Sequence, residues 1–227
     1  ILAGDIGGTK THLALFSIQG VKLQSELKKT FPSKQYRGLE PVVEEFLADQ
    51  KVSISRACFG IAGPVVGGQV KTSNLPWVVD SANIARRFKL DSVALLNDLE
   101  AAAYGIFTLE SRELLTLNEG VSGQRGNKVL IAAGTGLGEA TLYDDGRDHH
   151  PSASEGGHCD FAPTDETQID LLRYLIKKFG HVSYERVVSG PGLANIYSFF
   201  RDSGRLEEPD WLREKISAAE DMSAVIS

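Results

Sequence analysis

The amino-acid sequence predicts an α/β protein of two lobes facing a shared cleft, with the second lobe incomplete within these residues. Three observations lead there. Short apolar runs alternate with segments whose apolar residues recur at helical spacing. A strand, a glycine-rich turn carrying a threonine and a returning strand occur twice, near 5–11 and near 129–143. Between them, an apolar run at 93–96 passes directly into Asn97, Asp98 and an alanine-rich stretch of high helix propensity. The carboxyl ends of strands in open α/β sheets face the ligand crevice. An Asp at such a junction can accept a proton from a bound hydroxyl. Asn and Asp are also common N-cap residues, and as a cap the pair needs no further role.

Taken in order, residues 1–6, 11–18 and 21–30 read as strands, the first two joined by the tight turn Asp5-Ile6-Gly7-Gly8-Thr9-Lys10. Adjacent glycines let backbone N–H groups converge on an anion, while Thr9 and Lys10 add a hydroxyl and a positive charge. Asp5, at the strand end, can hold a hydrated cation. These residues suit a nucleotide with its magnesium, and a plain Gly-Gly hairpin fits them as well. No helix follows the turn, so it is neither a Walker A loop nor a dinucleotide fingerprint.

Residues 39–47 have helical spacing, 56–62 form a short apolar strand, and a hairpin centres on Gly67-Gly68. The polar loop 71–77 offers Asn74 and Trp77 as pocket-lining candidates, although a loop Trp more often anchors the loop to the domain. Ser81 is expected to cap a helix through 88. The central strand follows, and then a helix to about 107. Apolar density falls over 108–128, where Gly120, Gly123 and Gly126 gather around one short expected strand at 113–117. The domain boundary is expected there, giving lobes 1–109 and 110–227.

In the second half, residues 129–133, the turn Gly134-Thr135-Gly136-Leu137-Gly138 and a strand at 139–143 repeat the logic of the first hairpin. The densest polar group follows at 154–161. There two glycines between Glu155 and His158 allow both side chains to aim at one point. A carboxylate accepts paired hydrogen bonds from vicinal hydroxyls and an imidazole adds one more, which is chemistry suited to a sugar. Residues 165–179 read as an amphipathic helix ending at Gly180. Glu185 is a further carboxylate candidate, or else a partner of Arg186. Helices are expected at 193–200 and at about 209–220, with no later strand. The first residue is Ile rather than Met, and the chain is expected to continue past 227.

Composition bounds the function. A net charge of −6 with 24% charged residues excludes a protein built mainly to hold nucleic acid, which needs clustered Lys and Arg. The two cysteines, Cys58 and Cys159, are far apart, which argues against a disulfide framework or zinc cluster and for a reducing cytoplasm. No apolar run is long enough to span a bilayer, so no membrane partner is expected.

The turn at 5–10, LLND at 95–98, GTGLG at 134–138, EGGH at 155–158 and ERVVSGPGL at 185–193 together resemble bacterial glucokinases of the hexokinase, actin and heat-shock-chaperone ATPase superfamily. Each motif is weak alone, but five in order over nearly the whole chain are specific. The resemblance implies a two-lobed, ribonuclease-H-like fold of the actin/hexokinase type. It also implies ATP-dependent phosphorylation of glucose at the 6-hydroxyl, giving ADP, with Mg²⁺ held through water by Asp5. Asp98 would be the base, and Asn97, Glu155, His158, Glu185 and Asn74 would hold sugar hydroxyls alongside it. Gly7, Gly8, Thr9 and Lys10, with Gly134, Thr135 and Gly136, would hold the ATP phosphates. A homodimer is left open. The cysteine-rich zinc motif of the ROK-type sugar kinases is absent after His158, which favours the zinc-free branch. The family's adenosine loop is expected beyond residue 227. Other readings are a kinase for another hexose, an actin-like or chaperone-like ATPase, or a non-catalytic sugar sensor.

Overall fold

The computed structural model describes residues 1–20, 22–121 and 123–227; the expected strand start at Val21 lies outside them. The chain divides into two compact units, Ile1–Gln124 and Arg125–Ser227. The division comes near the end of the glycine-rich segment rather than at 109/110.

The first unit opens with the strands β1 (Leu2–Ile6), β2 (Lys10–Gln19) and β3 (Lys22–Pro32), followed by helix α1 (Leu39–Leu47) and strand β4 (Arg56–Ile61). Three short strands, β5 (Val65–Val66), β6 (Gln69–Lys71) and β7 (Val78–Asp80), lead to helix α2 (Ser81–Phe88). Strand β8 (Ser92–Asn97) then runs into helix α3 (Asp98–Ile106). The main sheet has the order β3-β2-β1-β4-β8. β1, β4 and β8 are parallel, so their carboxyl ends share one edge, with Ile6, Ile61 and Asn97 in one row. One large core lies against this sheet, built from residues such as Leu2, Leu13, Phe31, Val42, Phe46 and Phe59.

The second unit begins with β9 (Lys128–Ala133), β10 (Leu137–Asp144) and β11 (His149–Ser154), an antiparallel sheet in the order β11-β10-β9. Helices α4 (Glu166–Phe179), α5 (Gly190–Asp202), α6 (Asp210–Ser217) and α7 (Ser223–Ile226) follow. Its main cluster is smaller: Phe161, Leu171, Leu175, Val182 and Phe199. β9 is open to solvent on both faces, and Val129 and Ile131 are each 62% exposed. None of the described helices is long and apolar enough to cross a membrane.

Several local expectations need correction. Residues 113–117 form no strand. Glu110 and Glu113 cap each other reciprocally around a 3₁₀ turn at Ser111–Glu113, and the leucines beyond it are exposed. The cap of α2 is Asp80, which accepts from the Asn83 N–H at 2.9 Å, so Ser81 is already helical. α5 begins at Gly190 rather than 193, because Ser189 accepts from the Gly192 N–H and Pro191 is pre-set for a first turn. Trp77 is 1% exposed in the core, and its indole N–H donates to the Tyr36 carbonyl at 3.1 Å. It anchors its loop in the core.

Candidate active site

Two groups of candidate residues form, one in each unit. In the first unit the turn between β1 and β2 rests on a chain of buried hydroxyls. The Ser33 hydroxyl donates to the Gly7 carbonyl at 2.8 Å and so must accept from Thr11, 2.9 Å away. The Ser33 N–H donates to the Thr9 carbonyl at 3.0 Å. Thr11 and Ser33 are both 0% exposed. These bonds hold the turn's carbonyls toward the sheet, and among the described residues the N–H groups of Gly8 and Thr9 have no backbone acceptor. That is the geometry of an anion cradle. Asn74 packs directly over Gly8, where a Cβ would lie 2.5 Å from the Asn74 Cβ. Its loop is held by buried Thr72, whose hydroxyl donates to the Leu75 carbonyl at 2.7 Å. Asn74 thus stands at the first glycine turn.

The β8–α3 junction lies along the same sheet edge. Asn97 caps α3, its Oδ1 accepting from Leu99 N–H at 2.9 Å and Glu100 N–H at 3.3 Å, while its Nδ2 donates to the Gly63 carbonyl at 3.4 Å. Its oxygen is therefore committed, and one N–H of the amide remains. Asp98, half-buried in the first turn of α3, accepts from Leu99 N–H through Oδ1 at 3.0 Å. Its Oδ2 has no hydrogen-bond partner among the described residues. Gly60 on β4 lets α3 come this close, since a Cβ there would meet the Ala101 Cβ at 3.0 Å. Asp5, at the end of β1, is reached by solvent, yet its surroundings dehydrate it enough to raise its carboxyl above the ordinary range. The charge of Asp98 raises it further, and His12 beside it on β2 pulls it down.

In the second unit the remaining candidates meet around one turn. The Gly134 N–H donates to the Gly136 carbonyl at 2.8 Å, closing the bend between β9 and β10. Glu185 Oε2 accepts the Leu137 N–H at 3.0 Å. Arg186 instead stacks on the Phe179 ring, 4.4 Å from its centroid, so it is not the partner of Glu185. Glu155 is the N-cap residue of a 3₁₀ turn (Gly156–His158) that His158 ends, with the imidazole Nε2 3.7 Å from the carboxylate and both side chains exposed. Gly157 packs on the Leu137 carbonyl and Gly156 on the Glu139 carboxylate, so side chains at either position would collide. Residues 159–161 then pair with 182–184, the Tyr184 N–H donating to the Cys159 carbonyl at 2.9 Å, which draws Glu185 toward the EGGH turn. A cavity of about 670 Å³ adjoins the glycine turn, bordered by Gly134, Thr135 and Gly190.

The sequence reading missed Thr11, Ser33, Gly60 and Glu139. Strand alternation does point Glu139 to the same face as Leu137, but nothing local signals what packs there. Among the described residues no three or more His, Cys, Asp or Glu side chains cluster as a metal would require.

A family profile described as glucokinase matches residues 2–226. The chain is 42% identical over 207 residues to a glucokinase of Nostoc sp., covering 89% of this chain and 60% of that protein. A glucokinase of Yersinia pestis is 38% identical over 198 residues, covering 86% of this chain and 60% of that protein. The chain thus spans about 60% of the length of these relatives. Among solved structures, a glucokinase from an Antarctic psychrotroph superposes with a TM-score of 0.80 at 28% identity, covering 99% of this chain and 73% of that one. The glucokinase of Balamuthia mandrillaris, solved in complex with glucose, shares the fold with a TM-score of 0.71 at 22% identity, covering 99% and 70%.

Proposed function

This chain belongs to the glucokinase family, and on that premise we propose that it serves the ATP-dependent phosphorylation of glucose at the 6-hydroxyl, giving glucose 6-phosphate and ADP. The observation that carries the reading is Asp98, with Oδ2 uncommitted at the end of a parallel strand. The sugar O6 forms a bond to the γ-phosphorus, and the bond from that phosphorus to the β–γ bridging oxygen breaks, leaving ADP with the electron pair. The O6 proton passes to Asp98 Oδ2. Little basicity is needed, because alignment and charge neutralisation dominate phosphoryl transfer.

The other residues bind and orient. Glu155 and His158 are exposed and near enough for neighbouring sugar hydroxyls to reach both. Glu185 offers Oε1, and Asn97 its remaining N–H. Asn74 can reach a hydroxyl beside the first turn. The amides of Gly8 and Thr9, with the Lys10 ammonium, suit phosphate oxygens, as do Gly134, Thr135 and Gly136. Asp5 fits a hydrated divalent cation, since dehydration and the Asp98 charge both disfavour its ionised form and a cation would offset both. Magnesium held there would spread the phosphate charge during transfer. Two free thiols, at Cys58 and Cys159, support placement in a reducing cytoplasm.

The test is product identity. Incubated with ATP and a panel of glucose, mannose and fructose, the enzyme is expected to release ADP fastest with glucose, and ³¹P NMR is expected to find the phosphate on O6. Phosphate on another oxygen, or preference for another hexose, would overturn the glucose assignment.

A further inference from the structure

Resting on the sugar-kinase reading, we infer that Glu185 is a positioning residue that ties the hydroxyl-holding side chains of the second unit to its glycine turn. Occupation of the sugar site then sets the geometry of the turn that receives phosphate. Gly136 sits directly under the Glu185 carboxylate. Its backbone is outside the left-handed region, so conformation does not demand glycine there. A Cβ at Gly136 would lie 2.5 Å from Glu185 Oε2, so a side chain there would push the end of that carboxylate aside. The same carboxylate oxygen accepts the Leu137 N–H at 3.0 Å. By contrast, a Cβ at Gly134 would meet nothing within 4 Å.

The segment carrying Glu185 grips the other end of the turn too. The Ser189 hydroxyl donates to the Glu185 carbonyl at 2.7 Å and accepts from the Gly192 N–H, fixing the start of α5. From that start, the Gly190 N–H donates to the Gly134 carbonyl at 2.8 Å. Both ends of the turn, Gly134 and Leu137, therefore hang on residues 185–190. Glu185 is half-buried, and its Oε1 has no partner among the described residues. A sugar hydroxyl donating to Oε1 would hold the carboxylate in place over Gly136. Without one, rotation of the side chain releases the Leu137 N–H and loosens the turn.

The experiment crosses the two substrates in the intact enzyme. Glu185→Ala is expected to raise the KM for glucose and for ATP, each by about tenfold or more, as one lost charge-assisted hydrogen bond implies. Glu185→Gln keeps an oxygen acceptor for Leu137, so it is expected to restore the ATP KM while glucose remains weak. Gly136→Ala, a change in the phosphate turn, is expected to raise the glucose KM by about tenfold. Thermal melting of each variant separates these effects from unfolding. An ATP KM unmoved by Glu185→Ala, or a glucose KM unmoved by Gly136→Ala in a folded variant, overturns the inference alone. Absence of hexose-dependent ADP release by the unmodified enzyme overturns the proposed function, and this inference with it.

Discussion

The two glycine turns share a backbone device and differ in what holds them. The first is set in a five-stranded sheet over the large core and braced by Thr11 and Ser33, two buried hydroxyls with no ligand to meet. The second is set in a three-stranded sheet whose β9 strand is open to solvent, and its brace is Glu185, a residue proposed to meet the sugar. One turn is thus shaped by buried hydroxyls of its own unit's core, while the other, on the proposed function, would borrow its shape from a residue that also binds the sugar. In the proposed enzyme, the first unit would supply rigid chemistry and the second adaptable affinity.

The largest effect that can break this division concerns the chemistry. Asp98→Asn is expected to lower kcat by about 10² to 10⁴ while glucose affinity stays nearly unchanged. Steady-state kinetics beside calorimetric glucose binding checks it, and a fall below tenfold would move the base elsewhere. Next comes the contrast in cores. Phe59→Ala, under the first sheet, is expected to cost about 3 to 5 kcal/mol in urea unfolding. Ile131→Ala, on exposed β9, is expected to cost under about 1 kcal/mol. Comparable losses would erase the asymmetry.

Smaller effects sharpen the comparison. Glu155→Gln and His158→Ala are each expected to raise the glucose KM by about 5-fold to 150-fold, from roughly 1 to 3 kcal/mol per lost partner, with less change for ATP. An unchanged KM in both would make the EGGH turn structural only. The smallest expected effect is a pH dependence at Asp5. Its carboxyl is raised in the folded chain, so between the ordinary aspartate value and the raised one the folded state binds more protons than the unfolded. Stability therefore declines as pH rises through that window and stays lower above it. Asp5→Asn is expected to remove that decline, gaining stability at pH 7 relative to acid while losing activity. Urea midpoints on both sides of the window check the sign.

Much of the fold was legible because its signals are local. Apolar spacing placed α1 and α4, and the adjacent glycines placed the β1–β2 hairpin. The strand-to-helix junction at Asn97 and Asp98 was readable for the same reason. β7 and β11 were not, the first being three residues long and the second a polar run, HHPSAS, that becomes a strand only by pairing with β10. In the site, residue types could be named but not their commitments. Asn97 reads in the sequence as a cap or as a ligand contact alike, and only the folded chain commits its oxygen to α3. The contact of Glu185 with Gly136 spans about half of the second unit, and only tertiary packing creates it. Ser33 was silent because a buried serine at a strand end resembles any turn residue.

The proposed function requires that a sugar hydroxyl, not water, accept the phosphoryl group. ADP release from ATP by the intact enzyme, measured with and without saturating glucose, tests it most directly. Release is expected to be faster by orders of magnitude with glucose, with one glucose 6-phosphate formed per ADP. Equal rates in both conditions, as a chaperone-like ATPase would give, would contradict it.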